Sequence, residues 1–175
     1  ACQHPALGQR GRAVGKVEIA GRQRQHRAVA GHDLRRQPLV TPRLWLYPLE
    51  TSDASELWTA VESCRSYLEP WLPWVPFQAA PEASHQYAEA SMHDWDFGRA
   101  VRFAIRERPS RRLLGVVSVE NLQHLHLSGE LGYWLRRDAA GRGLMTEAAD
   151  AVLLMVDPIK QRRHELEPRV HDLTE

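Results

Sequence analysis

The 175 residues carry 23 Lys and Arg against 22 Asp and Glu, a net charge of +1, with 43% apolar and 26% charged residues, the balance of one soluble domain with an ordinary core. Two cysteines, Cys2 and Cys64, exclude a disulfide-framed fold and suit a reducing cytoplasm. No apolar run approaches the ~20 residues that span a bilayer, and the N-terminus lacks the apolar stretch of a signal peptide, so no membrane partner is expected.

The charge is unevenly spread. The first 43 residues hold nine Lys and Arg against Glu18 and Asp33, while the remainder holds 14 basic against 20 acidic residues. Residues 1–40 lack an apolar period and aromatics for stacking, which favours a disordered basic extension over an arm that binds nucleic acid weakly through arginine–phosphate contacts. Thr41 to Leu49, TPRLWLYPL, reads as a strand, and Val40 just before it is a natural alternative start. Thr51 to Ser66 reads as a helix, with Asp53 as its cap, Glu56 three residues on, and Leu57, Val61 and Cys64 at helical spacing. Tyr67 to Phe77, YLEPWLPWVPF, is an aromatic and proline loop. Pro81 to Trp95 begins as a helix should, with Pro at the first turn and Glu82 beside it.

Val101, Phe103 and Ile105 alternate with Arg102, Ala104 and Arg106, as a half-buried strand does. A turn at Pro109 and Ser110 leads to the valine-rich strand Leu113 to Glu120. Arg106, Arg108, Arg111 and Arg112 flank that turn and read as a solvated loop. Gly129 to Arg136, GELGYWLR, alternates again, with Leu131, Tyr133 and Leu135 on one face and Glu130, Gly132 and Trp134 on the other. Then come a glycine turn, AAGRG, and a helix with an apolar stripe of Leu144, Ala148, Ala151, Val152 and Met155. A strand, a glycine turn and a helix start form a natural anion site, because glycines admit a ligand to the unbonded N–H groups of the first helical turn.

GELGYWL followed by AAGRGLMTEA resembles the cofactor motif of the Gcn5-related N-acetyltransferases (GNAT), in the branch that acetylates ribosomal-protein N-termini. The resemblance runs from Thr41 to Val156 and implies an α/β (α+β) domain: a mixed, mostly antiparallel sheet flanked by helices, built in the order strand, helix, helix, three strands, helix. In the family the motif's backbone amides hold the pyrophosphate of acetyl-coenzyme A. Its fixed positions fall here at Ala140, Gly143 and Met145, with the branch's additional glycine at Gly141. Gly143 matches, whereas the usual basic residue is replaced by Ala140, leaving Arg142 as the nearest charge. The resemblance implies Trp134, Leu135, Arg136, Ala140, Gly141, Arg142, Gly143, Leu144, Met145 and Thr146 as cofactor-binding residues. It also implies that the backbone of Trp134 to Arg136 polarises the thioester carbonyl.

After Val156 the resemblance stops. The family continues with a fifth strand, a fourth helix and two further strands, whereas residues 157–175 have little apolar periodicity. A truncated chain is therefore expected, lacking one wall of the cofactor site. It would leave an open edge on the strand Gly129 to Arg136, which is prone to aggregation or to pairing with a second copy; the oligomeric state is otherwise unread.

Acetyl transfer needs a neutral amine, and an α-amino group with a pKa of about 7.7 to 8.0 needs only a modest base. Glu130, sharing a face with Gly132 and Trp134, is the first candidate, and Glu120 is the second. Trp71 and Trp74 either line the acceptor mouth or pin their loop to the core. Cys64 reads as a small buried hydrophobe, and His124 and His126 lack the further ligands a metal site needs, so no metal is expected. The expected activity is acetyl transfer from acetyl-CoA to the N-terminal amine of a ribosomal protein. The alternatives are a small-molecule amine as acceptor, or a catalytically inactive remnant.

Overall fold

The structure, a computed structural model, describes residues 36–123 and 128–156, together with the backbone of the strand Val14–Glu18. Six strands are described: β1 (Val14–Glu18), β2 (Leu39–Val40), β3 (Leu44–Pro48), β4 (Val101–Glu107), β5 (Leu113–Gln123) and β6 (Ser128–Leu135). They form one sheet in the order β1-β6-β5-β4-β3-β2, and every pairing among them is antiparallel.

Four helices cover the two faces: α1 (Ala54–Glu62), α2 (Arg65–Leu68), α3 (Pro81–Asp96) and α4 (Leu144–Val156). On one face Leu57, Ala60 and Val61 of α1, Leu68 of α2 and Ala88 of α3 pack over Ala104, Val116 and Trp134. On the other, Leu144, Ala148 and Val152 of α4 pack over Phe103, Ile105, Val117 and Val119. Because β5 is covered on both faces, its core reads as a continuous apolar run, and residues 113–119 are all buried.

The expected helix Thr51 to Ser66 is broken into α1 and α2. Ser63 Oγ and Cys64 Sγ both turn back onto the Ala60 carbonyl, at 2.8 and 3.1 Å, and Cys64 leaves helical geometry with φ −141°, as back-bonding side chains encourage. The Cys64 thiol is buried, as read, and burial pushes its pKa up. The cap expected from Asp53 and Glu56 also differs. The Asp53 carboxylate accepts the Glu50 N–H at 3.0 Å. With Glu56 it also grips Arg106, at 2.7 Å to each, and Glu56 further accepts the Leu113 N–H at 2.9 Å. Arg106 is thus no part of a solvated loop: its side chain is 15% exposed and ties the start of α1 to the sheet.

Residues expected to precede the domain take part in the sheet. Leu39–Val40 pairs with β3, and Val14–Glu18 pairs with β6 from Val14↔Gly132 to Glu18↔Ser128. The half of the β6 edge that the sequence leaves open is therefore covered from within the chain. Proline at a ladder position removes a donor and blunts pairing. Val17→Pro is accordingly expected to uncover this edge and produce concentration-dependent association in light scattering, whereas the wild type stays constant in mass. His124 and His126, the residues of the N-terminal arm before Val14, and residues 157–175 lie outside the described residues.

Candidate active site

Strand β6 sets the geometry. The Arg136 N–H donates to the Leu114 carbonyl at 2.7 Å, and antiparallel pairs alternate between exchanging hydrogen bonds and facing away. Trp134, opposite Val116, is therefore turned toward β5, as Arg136 is. The backbone of Leu135 faces the opposite edge, where the ladder among the described residues runs no further than Val14↔Gly132. Of the three residues expected to polarise a thioester, Leu135 presents its backbone to this edge.

Beyond β6 the chain makes a tight turn, Arg137–Ala139, anchored by the fully buried Ala139. The Ala140 N–H is taken by the Arg137 carbonyl at 3.3 Å. Gly141 and Gly143 follow with φ of +76° and +72°, a conformation that side-chain-bearing residues adopt only under strain. A Cβ on Gly141 would meet nothing within 4 Å, so the space above the loop is open to a ligand. Among the described residues, the N–H groups from Gly141 to Thr146 donate to no protein acceptor; the first such bond is from the Glu147 N–H to the Gly143 carbonyl at 3.2 Å. A run of unsatisfied donors at the start of a helix is where a phosphate binds.

A guanidinium from outside the motif lies beside the loop. Arg43, at the entrance to β3, donates from one guanidinium nitrogen to the Arg142 carbonyl at 2.9 Å, and another lies 3.6 Å from where a Gly143 Cβ would be. It is held there by Glu147 of α4, which accepts the Arg43 backbone N–H at 2.9 Å and its Nε–H at 2.6 Å. Thr41 Oγ1 donates to the same carboxylate at 2.5 Å. Burial alone would raise the Glu147 pKa, but the Thr41 and Arg43 contacts outweigh it and hold the carboxylate below its ordinary value. A carboxyl with a depressed folded pKa stabilises the fold above its unfolded pKa and loses that contribution as pH falls through the folded value. Glu147→Gln is expected to cost about 1 to 3 kcal/mol at pH 7 and to flatten the acid limb of stability below about pH 4.3, measured by urea unfolding across pH. None of Thr41, Arg43 and Glu147 was marked by the sequence, since their partners lie more than 100 positions apart.

The other face of β6 carries the acceptor candidates. Gly132 carries no side chain between Glu130 and Trp134, and Ser118 fills the space beside it: a Cβ there would come within 2.8 Å of Ser118 Oγ. Glu130 is half-buried, with no ion pair among the described residues. Glu120 lies opposite it in register, but both its oxygens are held by Arg102, at 2.8 and 2.6 Å, and Arg102 also binds Asp94 at 2.9 Å. Glu120 is thereby tied into an ion-pair network, with one Arg102 N–H on each carboxylate oxygen. Trp74 lies beside Trp134, ring centroids 6.3 Å apart, and is 36% exposed, while Trp71 stands farther out at 56%. The loop is pinned by Leu68, Leu72 and Val75 and by Arg65, which donates to the Val75 carbonyl at 2.7 Å, leaving both tryptophans at the surface.

Residues 43–167 match the acetyltransferase (GNAT) domain. The chain belongs to this GNAT family. It is 24% identical over 114 residues to the ribosomal-protein-serine acetyltransferase of Escherichia coli, covering 65% of this chain and 63% of that protein; the chain thus spans somewhat less than two thirds of that relative. In fold it is similar to RimL, a ribosomal L7/L12 alpha-N-protein acetyltransferase solved with coenzyme A, at TM-score 0.63 and 20% identity, covering 67% of this chain and 66% of that one. It is likewise similar to the ribosomal-protein-S5-alanine acetyltransferase of Vibrio fischeri, at TM-score 0.58 and 20% identity, with 67% and 65% covered. The GNAT architecture implied by the motif is therefore the architecture of this chain.

Proposed function

We propose that this GNAT domain transfers the acetyl group of acetyl-CoA to a primary amine, the N-terminal amine of a ribosomal protein being the acceptor that the named relatives favour. The observation that carries the reading is the run of N–H groups from Gly141 to Thr146 without an acceptor among the described residues, beside the outward-facing backbone of Leu135. Acetyl-CoA brings an activated thioester acetyl group and a pyrophosphate. The loop amides and Arg43 hold the pyrophosphate, and Leu135 presents its backbone to the arm that carries the thioester. The α1–α3 side of the sheet receives the acceptor over Gly132, between Glu130 and the Trp74–Trp134 pair. Glu130 accepts the proton lost by the incoming ammonium, directly or through one water, so that the neutral amine attacks the acetyl carbon; the C–S bond then breaks, and the departing coenzyme A thiolate takes up the proton released as the nitrogen becomes an amide. Arg102 fixes Glu120 and so leaves Glu130 as the base.

No helix among the described residues is long and apolar enough to cross a membrane, and no cluster of three metal-ligating side chains is found among them. A cytoplasmic setting is part of the proposal and suits a ribosomal acceptor. The test is mass spectrometry of peptides carrying ribosomal-protein N-termini, incubated with the chain and acetyl-CoA. A mass gain of one acetyl group on the α-amine, above a no-protein control, supports the reading. Acetylation of small amines alone favours the small-molecule acceptor, and no transfer despite cofactor binding favours the inactive remnant.

A further inference from the structure

Arg65, the first residue of α2, reaches forward onto the aromatic and proline segment that follows it. Its guanidinium donates to the Val75 carbonyl at 2.7 Å and to the Gln78 carbonyl, partners 10 and 13 positions ahead, and so closes both ends of the single turn Val75–Phe77. The same group is held by α1: its Nε–H donates to Glu62 at 2.8 Å, a second nitrogen donates to that carboxylate as well, and the Trp58 ring centre lies 5.9 Å away. The segment has few other means of fixing its shape. Pro70, Pro73 and Pro76 have no N–H to give. The backbone bonds here are local, from the Trp71 and Leu72 N–H groups to the Leu68 carbonyl and from Val75 to Leu72, each at 3.0 Å. Trp71, Trp74 and Phe77 are 56%, 36% and 84% exposed. Three such rings on one short segment form a contact surface rather than scattered apolar residues.

Resting on the peptide-acceptor reading above, we propose that Arg65 is a positioning residue for the acceptor: it latches the Val75–Phe77 turn so that Trp74 stands against Trp134, where the incoming chain passes. Trp74 immediately precedes the latched turn, and its ring centre lies 6.3 Å from that of Trp134. The role suits arginine alone. A planar guanidinium with five donors reaches two carbonyls and a carboxylate at once, whereas a lysine ammonium cannot match that fork. The bonds of Arg65 run to α1 and to this segment and not to the Gly141 to Thr146 loop. Its effect therefore falls on the affinity for the acceptor and not on that for acetyl-CoA.

Steady-state kinetics of the whole chain with Ser- and Ala-initiated peptides, at saturating acetyl-CoA, tests this. Arg65→Ala is expected to raise the acceptor KM about tenfold while kcat stays within about twofold, with acetyl-CoA affinity unchanged by calorimetry. Arg65→Lys, able to reach one of the two carbonyls, should fall between it and the wild type. Trp74→Ala should raise KM by a similar factor, and the double variant should add little, because both changes remove one contact. Thermal melts report folding; should Arg65→Ala not fold, Arg65→Lys takes its place in the cycle. An unchanged acceptor KM in a folded Arg65 variant, a loss confined to kcat, or full additivity with Trp74→Ala overturns the inference and leaves the acceptor reading standing. A wild type that binds acetyl-CoA and acetylates neither peptide overturns that reading and this inference with it.

Discussion

Gly143→Glu is expected to weaken acetyl-CoA binding by at least about a hundredfold while the chain remains folded. Three effects act in the same direction. Gly143 sits at φ +72°, where an L side chain costs about 1 to 2 kcal/mol, so the loop shifts from the shape that presents its amides. The new carboxylate stands at the start of α4, where it takes up the positive end of the helix that a phosphate would occupy. It also lies within reach of the Arg43 guanidinium, 3.6 Å from the position of the added Cβ, and so competes for the cation beside the loop. Calorimetry gives the affinity, and a thermal melt close to wild type separates lost binding from lost fold. Undiminished binding in this variant would remove the loop from the site.

The second large effect is at Glu130. Glu130→Gln keeps size and shape but removes the base, and a positioned general base contributes roughly 10² to 10⁴ in rate. We expect kcat for a peptide acceptor to fall about a hundredfold at pH 7 with acetyl-CoA affinity unchanged. The deficit should shrink above pH 8, because the acceptor amine, with a pKa of about 7.7 to 8.0, is then already neutral. Glu120→Gln should behave differently. Its carboxylate is committed to Arg102, so the loss is in stability, with a partly buried arginine left short of a partner, and without the pH-dependent recovery. A Glu130→Gln variant with wild-type kcat across pH would assign the proton transfer elsewhere.

Much of this was legible in the chain. Alternation in β4 and β6 and the apolar stripe of α4 report burial on one face or one stripe, and burial of that kind writes a period into the sequence. The glycine turn was legible because left-handed backbone favours one residue type, and Gly141 and Gly143 both adopt it. What was not legible depends on partners distant in sequence. Arg106 reads as one of several arginines around a turn until α1 folds across β4 and brings Asp53 and Glu56 to it. Glu120 and Glu130 are alike as strand glutamates, and Arg102, brought alongside by β4–β5 pairing, separates a tethered carboxylate from one with no ion pair among the described residues. The break at Ser63 and Cys64 turns on two weak side-chain bonds to one carbonyl, too small a signal to interrupt a helical pattern. The pairing of Val14–Glu18 with β6 lacked any periodic signal, since so short a strand carries little pattern of its own.

Amide hydrogen exchange, followed by mass spectrometry with and without saturating acetyl-CoA, tests most directly that this loop and its arginine hold the cofactor. Slowed exchange is expected, centred on Leu135 to Thr146, where donors without an acceptor among the described residues gain phosphate acceptors, with a smaller effect at Thr41 to Leu44 through Arg43. Binding accompanied by protection elsewhere in the chain, with the Gly141 to Thr146 amides exchanging as before, would contradict it.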